Sequence, residues 1–233
     1  MTLPRHLKTL LAAMALSLAL CDSTDINKGG TALGLGDYAL AARFFSSVLE
    51  RNPASYEARL GMGKALLQRY VDKNDTVSWR EAVMNLEAAR TLAGGAETTK
   101  LLAQVWAERG AALAHAGDTL GALEALIRSI ACDPRGTEPL NLAGIIYYRI
   151  GKTAKARHLF ESAVAADSSN ISATFNLGML CWEEKRIQEA HDHWMRALTG
   201  APDDEDILYW FAAAEKSLRT APADTALPEN TVK

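Results

Sequence analysis

Apolar side chains recur along this chain at the spacing of one helical face, and the faces come in answering pairs. Leu140, Ala143, Gly144 and Tyr147 fall at i, i+3, i+4 and i+7; Ala156, Phe160, Ala163 and Val164 form the stripe that follows. No alternating β-branched segments interrupt this rhythm, so the expected class is all-α. The small residues keep a period. Gly110, Gly144 and Gly178 stand 34 residues apart, and Ala122, Ala156 and Ala190 trail each glycine by twelve. A fixed period of that length on small residues predicts a helix-turn-helix solenoid, in which each unit is too small to bury its apolar face alone. Glycine and alanine at the crossing let two backbones approach closely, while Tyr147 and Phe160 fill the space beside them.

Turns punctuate each pair, at Gly117-Asp118, Gly151-Lys152 and Lys185-Arg186. Second helices close at Pro134 and Pro202, and between them at Asp167-Ser168-Ser169-Asn170. Earlier in the chain Gly29, Gly36-Asp37-Tyr38, Ala41, Phe45 and Asn52-Pro53 repeat the scheme, and Gly63 lies 34 beyond Gly29. These residues strongly resemble tetratricopeptide repeats, as do Trp106 with Gly110, Ala122 and Asp133-Pro134, and Leu177-Gly178 with Ala190, Trp194 and Pro202. The resemblance covers roughly residues 29–204 and implies a right-handed superhelical solenoid with a concave, partner-binding groove. The repeat units are expected at about 22–55, 56–96, 97–136, 137–170 and 171–204, followed by a capping helix over 205–218 and a disordered tail over 219–233.

Two places break the rhythm. The second unit carries Ala82 seven residues late, and the excess is expected between its helices, in Tyr70 to Ser78. Gly94-Gly95 replaces its closing proline. The first unit has Gly29, Gly30, Gly34 and Gly36 within eight residues, each costing about 1 kcal/mol relative to alanine inside a helix, which predicts a frayed or absent first helix.

The N-terminus speaks to compartment. Arg5 and Lys8 precede the uncharged stretch Thr9 to Leu20, which has the length of a secretory apolar region and is too short for a bilayer-spanning helix. Residues 1–20 are expected to be a signal peptide and 21–28 a tether. Leu18-Ala19-Leu20-Cys21 resembles the lipobox of bacterial lipoproteins, which implies lipidation of Cys21, although Leu20 is larger than the residue usual before the cysteine. Cleavage after Ala19, at Ser17-Leu18-Ala19, is the competing reading and gives a soluble periplasmic protein. Either way the protein is expected in the cell envelope, facing the periplasm. Asp22 resembles an inner-membrane retention signal, a rule that does not hold in all bacteria, and the choice of membrane stays open.

Charge and candidate chemistry narrow the function. Losing Arg5 and Lys8 with the signal peptide takes the formal charge from −3 to −5, and no basic cluster follows, so nucleic acid is not an expected partner. Cys132 and Cys181 read as small buried hydrophobes rather than a disulfide. His191-Asp192-His193 places its histidines two apart, on different faces of a helix, which argues against a metal site. Asp72-Lys73-Asn74-Asp75 lacks the central glycine and closing glutamate of a calcium loop. No nucleophile arrangement or phosphate loop is present, so neither an enzyme nor a cofactor is expected.

By the repeat register, the groove stripe comprises Leu60, Lys64 and Leu67; Ala107, Ala111 and Ala114; Asn141, Ile145 and Tyr148; and Phe175, Met179 and Trp182, continued by Tyr209. Its later part is apolar and aromatic. Phe175 and Met179 either line the groove or pack on the neighbouring unit, whereas Tyr148 and Trp182, next to Arg149 and Glu183, are expected to be exposed anchors. Leu60, Ala107 and Ala111 stand where the clamp for an acidic C-terminus needs Lys and Asn, so the expected ligand is a protein or peptide with an apolar segment. The resemblance further implies a lipid-anchored scaffold for assembly of a pilus or secretion complex; the alternative is a soluble periplasmic adaptor or chaperone in cytochrome maturation or polysaccharide export.

Overall fold

The structure, a computed structural model, describes residues 5–220, with side chains from residue 13 onward; most of the expected tail, 221–233, lies outside the described residues. The described chain is all-helical, with eleven helices and no strand, and it divides into two compact units, residues 1–133 and 134–233. The first unit contains α1 (Arg5–Gly34), α2 (Tyr38–Arg51), α3 (Tyr56–Lys73), α4 (Thr76–Ala93), α5 (Ala96–His115) and α6 (Thr119–Cys132). The second contains α7 (Thr137–Arg149), α8 (Thr153–Ala166), α9 (Ile171–Glu183), α10 (Ile187–Gly200) and α11 (Glu205–Thr220).

Within each unit successive helices pack as helix-turn-helix pairs, and one contact recurs in all five. Four residues after each repeat alanine, a large side chain lies on the repeat glycine of the partner helix: Phe45 on Gly29, Leu86 on Gly63, Leu126 on Gly110, Phe160 on Gly144 and Trp194 on Gly178. The alanines Ala41, Ala82, Ala122, Ala156 and Ala190 are all fully buried. Apolar burial at these crossings is the main stabilising term, roughly 25 cal/mol per Å² removed from water.

Local chemistry sets the turns. Asp37, Asp75 and Asp118 cap α2, α4 and α6 by accepting from backbone N–H groups, and Ser55 and Asn170 do the same for α3 and α9. Gly36, Gly117 and Gly151 take φ of 75°, 81° and 75° at the turns, and Lys185 takes φ 65° at the corresponding place.

Two expectations change. The seven extra residues of the second unit do not form a loop, because α3 and α4 run 18 residues each and meet at Asn74-Asp75. Seven residues are about two helical turns, so lengthening each arm by one turn keeps both apolar faces in register. The first helix is neither frayed nor absent. The expected tether, 21–28, is helical too, as part of α1. Gly29 is buried against the Phe45 ring, and this contact outweighs the poor helix propensity of its glycines. At the other end α11 runs over 205–220, spanning the expected capping helix.

Candidate functional site

In the second unit α7, α9 and α11 present an open cleft of about 250 Å³. Asn141 and Ile145 come from α7; Ile171, Ser172, Phe175 and Asn176 from α9; Asp204, Asp206 and Ile207 from the start of α11. Asn176 Nδ2 donates to Asn141 Oδ1 at 3.0 Å, joining the two floor helices through their amides. Asp204 accepts from the Ile207 N–H at 3.0 Å, which caps α11 and fixes a carboxylate at the rim. Such a cleft pairs an apolar wall of Ile145, Ile171, Phe175 and Ile207 with amides suited to a peptide backbone and an acidic edge.

Three predicted groove residues, Asn141, Ile145 and Phe175, line this cleft. The others do not. Met179 and Trp182 belong to an aromatic cluster closed by α11: the Trp182 ring lies 5.9 Å from Trp194 and 5.8 Å from Trp210, centroid to centroid. Trp182 is therefore partly buried, not an exposed anchor. Tyr148 donates to Glu183, which pushes its hydroxyl up to about 12, and burial adds to the effect. Arg149 is exposed at the end of α7. Tyr209 is exposed at 67% and meets Trp210 edge-on at 5.4 Å.

In the first unit, Leu60 and Leu67 are core residues, packed with Leu66, Leu86, Leu102 and Val105, so neither is free to bind a partner. The reason is that α3 lies between two helical layers and is apolar on two sides, with Gly61 against Phe45 and Gly63 against Leu86. Lys64 pairs with Glu97 at 2.6 Å on the surface. Ile171, Ser172, Asn176, Asp204, Asp206 and Ile207 went unpredicted. Asn176 follows Phe175 directly, and its amide beside that of Asn141 was the one available signal.

The histidine pair plays two parts. His191 stacks on Phe211 with ring centroids 4.7 Å apart, while His193 is half-buried and its Nδ1 lacks a hydrogen-bond partner. Burial holds the His193 imidazole below its ordinary pKa, Arg196 and Arg157 act in the same direction, and Glu189 and Asp192 oppose them. Arg157 and Arg186 converge on Glu184, and these hydrogen bonds hold its carboxyl below the usual range. Among the described residues no group of three His, Cys, Asp or Glu side chains is placed to hold a metal, and all three cysteines are free.

Paired helices meeting at small residues, with a cleft on the first helices of the pairs, define a helical-repeat interaction scaffold. The tetratricopeptide-repeat family model matches residues 27–70 and 141–206, a little under half of the chain, and the paired-helix fold is that of the solved tetratricopeptide-repeat structures it resembles. Among solved structures of the same fold, PilF of Pseudomonas aeruginosa is 16% identical, with a TM-score of 0.54 over 87% of this chain and 86% of that one. A MamA crystal structure is 23% identical, with a TM-score of 0.51 over 75% of this chain and 94% of its own. YrrB, described as a TPR protein with an unusual peptide-binding site, is 20% identical, with a TM-score of 0.52 over 82% and 90%. A search of the curated proteins gives no match.

Proposed function

We propose that this protein is a non-enzymatic scaffold of the cell envelope, anchored by a lipid on Cys21, that holds an apolar partner segment in the cleft between α7, α9 and α11 during assembly of a pilus or secretion complex. The observation that carries the binding role is the cleft itself, where apolar walls flank the Asn141–Asn176 amide pair. Asp204 and Asp206 on its rim favour a segment with a lysine or arginine beside its apolar residues. The groove-binding mode is thus confined to Asn141, Ile145, Phe175 and their neighbours.

The anchor reading is supported by the start of α1. Residues 13–20 are exposed along their whole length, including Met14, Leu16, Leu18 and Leu20 at 50–64%. Removing that segment would cost the repeats no core contact, and Cys21 is exposed beside it. No described helix is long and apolar enough to cross a membrane. The assembly role rests on architecture combined with an anchor.

Peptides carrying an apolar stretch with and without a flanking arginine test the cleft. Wild type is expected to bind the arginine-bearing set more tightly, and Asn141→Ala with Asn176→Ala to lose it; equal binding by both proteins would remove the cleft from the reading. Labelled fatty acid should enter the wild type and not Cys21→Ala. A labelled Cys21→Ala protein defeats the lipoprotein claim, and an unlabelled wild type cleaved after Ala19 makes the protein a soluble periplasmic adaptor.

A further inference from the structure

No free tether follows Cys21. Arg51 at the end of α2 reaches back to the turn of α1 that follows Cys21: Nε meets Asp22 Oδ1 at 2.8 Å, Nη2 meets Asp25 Oδ2 at 2.7 Å, and Nη1 donates to Ser47 Oγ at 2.7 Å. One guanidinium holding two carboxylates and a hydroxyl fixes this turn of α1 against α2. A group carried on Cys21 is therefore held against the first repeat.

Cys21 heads a stripe of α1 in which Thr24, Lys28 and Thr31 follow at i+3, i+7 and i+10, with Leu35 at i+14 just past the helix end. These four, with Asn27, Ala32, and Leu40 and Phe44 of α2, line an open groove of about 460 Å³. Leu35 is 80% exposed and Leu40 40%, so no described side chain covers the apolar end of this face. Lys28 is the only charge in the lining, its Nζ 5.7 Å from the Phe44 ring centroid, and the lining holds no carboxylate although the chain as a whole is acidic.

We propose that this α1/α2 face rests on a lipid bilayer, with the acyl group of Cys21 at one end, Leu35 and Leu40 in the interface at the other, and Lys28 facing lipid phosphate between them. The inference rests on the lipid-anchor reading. At 1.5 Å per residue Leu35 stands about 21 Å along α1 from Cys21, so anchor and apolar contacts form one line parallel to the helix axis. The Arg51 clamp removes the slack that would let the repeat swing away from the surface. A neutral-to-cationic apolar face beside the anchor suits an anionic bilayer.

The test uses the full chain, purified with its lipid and reconstituted in vesicles of phosphatidylethanolamine and phosphatidylglycerol. In a Cys132→Ser background, an environment-sensitive fluorophore is placed at Thr31→Cys, at Leu40→Cys, or at Leu120→Cys, a residue 80% exposed at the start of α6. Quenching by lipids bearing a doxyl group is expected at 31 and 40 and not at 120. The surface variant Lys28→Glu with Leu35→Ser should lose that quenching while keeping its fatty-acid label. An acylated protein with all three fluorophores in water overturns the bilayer face and leaves the anchor standing. A protein without an acyl group in its mass spectrum removes both. Cross-linking between copies through positions 31 and 40 in detergent gives the face to a second copy and overturns the proposal.

Discussion

Gly178 lies flat against the indole of Trp194: a Cβ at this glycine would come within 2.4 Å of the indole Nε1, which donates to the Phe175 carbonyl at 3.3 Å. Trp194 is fully buried between Phe175, Trp182 and Trp210, so the ring has nowhere to retreat. Gly178→Ala is expected to destabilise the protein by about 1–3 kcal/mol through overpacking. Gly30→Ala should do the reverse, because a Cβ there meets nothing within 4 Å and alanine is favoured in a helix interior by about 0.5–1 kcal/mol. Denaturant midpoints of the two variants check both signs.

The five glycine contacts were legible in the sequence because they rest on period and residue size alone. Phe45, Leu126, Phe160 and Trp194 each stand sixteen residues after their glycine, and Leu86 keeps its place after Ala82 despite the insertion. The form of that insertion was not legible, since seven residues near a turn read equally as a loop or as two more helical turns. Nor could one stripe tell a groove residue from a covered one. Trp182 is covered because Trp210 of α11 reaches it, and Met179 packs on the same cluster, a long-range choice that nothing within α9 records. Leu60 and Leu67 were misread for the same reason: the position suits a groove, and two flanking layers bury it.

Lys185 occupies the turn position that glycine holds at Gly117 and Gly151, with φ 65°. Left-handed backbone costs a residue with a Cβ roughly 1–2 kcal/mol, while glycine gives back about 0.5–1 kcal/mol through its freer unfolded chain. Lys185→Gly is therefore expected to stabilise by roughly 0.5 kcal/mol. A thermal midpoint at or slightly above wild type agrees, and a clear drop shows that the lysine side chain contributes something the backbone does not.

Stability should also fall as the solution is acidified through the range where histidine titrates. Above about pH 7.5 His193 is neutral in both the folded and unfolded chain and contributes no slope. Below it the unfolded chain takes up the proton first, because burial holds the folded imidazole at a lower pKa; stability is lost as pH falls until the folded group is protonated as well. His193→Leu, which also removes the unpartnered Nδ1, is expected to flatten urea midpoints between about pH 6.5 and 5. An unchanged slope would assign the acid sensitivity to other groups.

Arg51 makes a last prediction about the start of the repeat array. Two of its contacts tie residues 22 and 25 to α2 and the third, to Ser47, steadies the guanidinium within α2, whereas further along α1 the Gly29–Phe45 contact and buried Ala32 hold the helix by packing. Removing the guanidinium leaves Asp22 and Asp25 as neighbouring carboxylates without their shared cation, so this stretch of α1 should loosen as far as Gly29 and no further, where the packing begins. In Arg51→Gln, backbone amides of residues 22–27 are expected to exchange hydrogen faster while those of 31–34 and of α3 to α6 keep their protection. High salt should reproduce part of the effect in the wild type, since these pairs lie near the surface and are screened. Faster exchange spread evenly through α1 and α2 would mean that the clamp supports the whole pair, and unchanged exchange at 22–27 would mean that it does not order this stretch of α1.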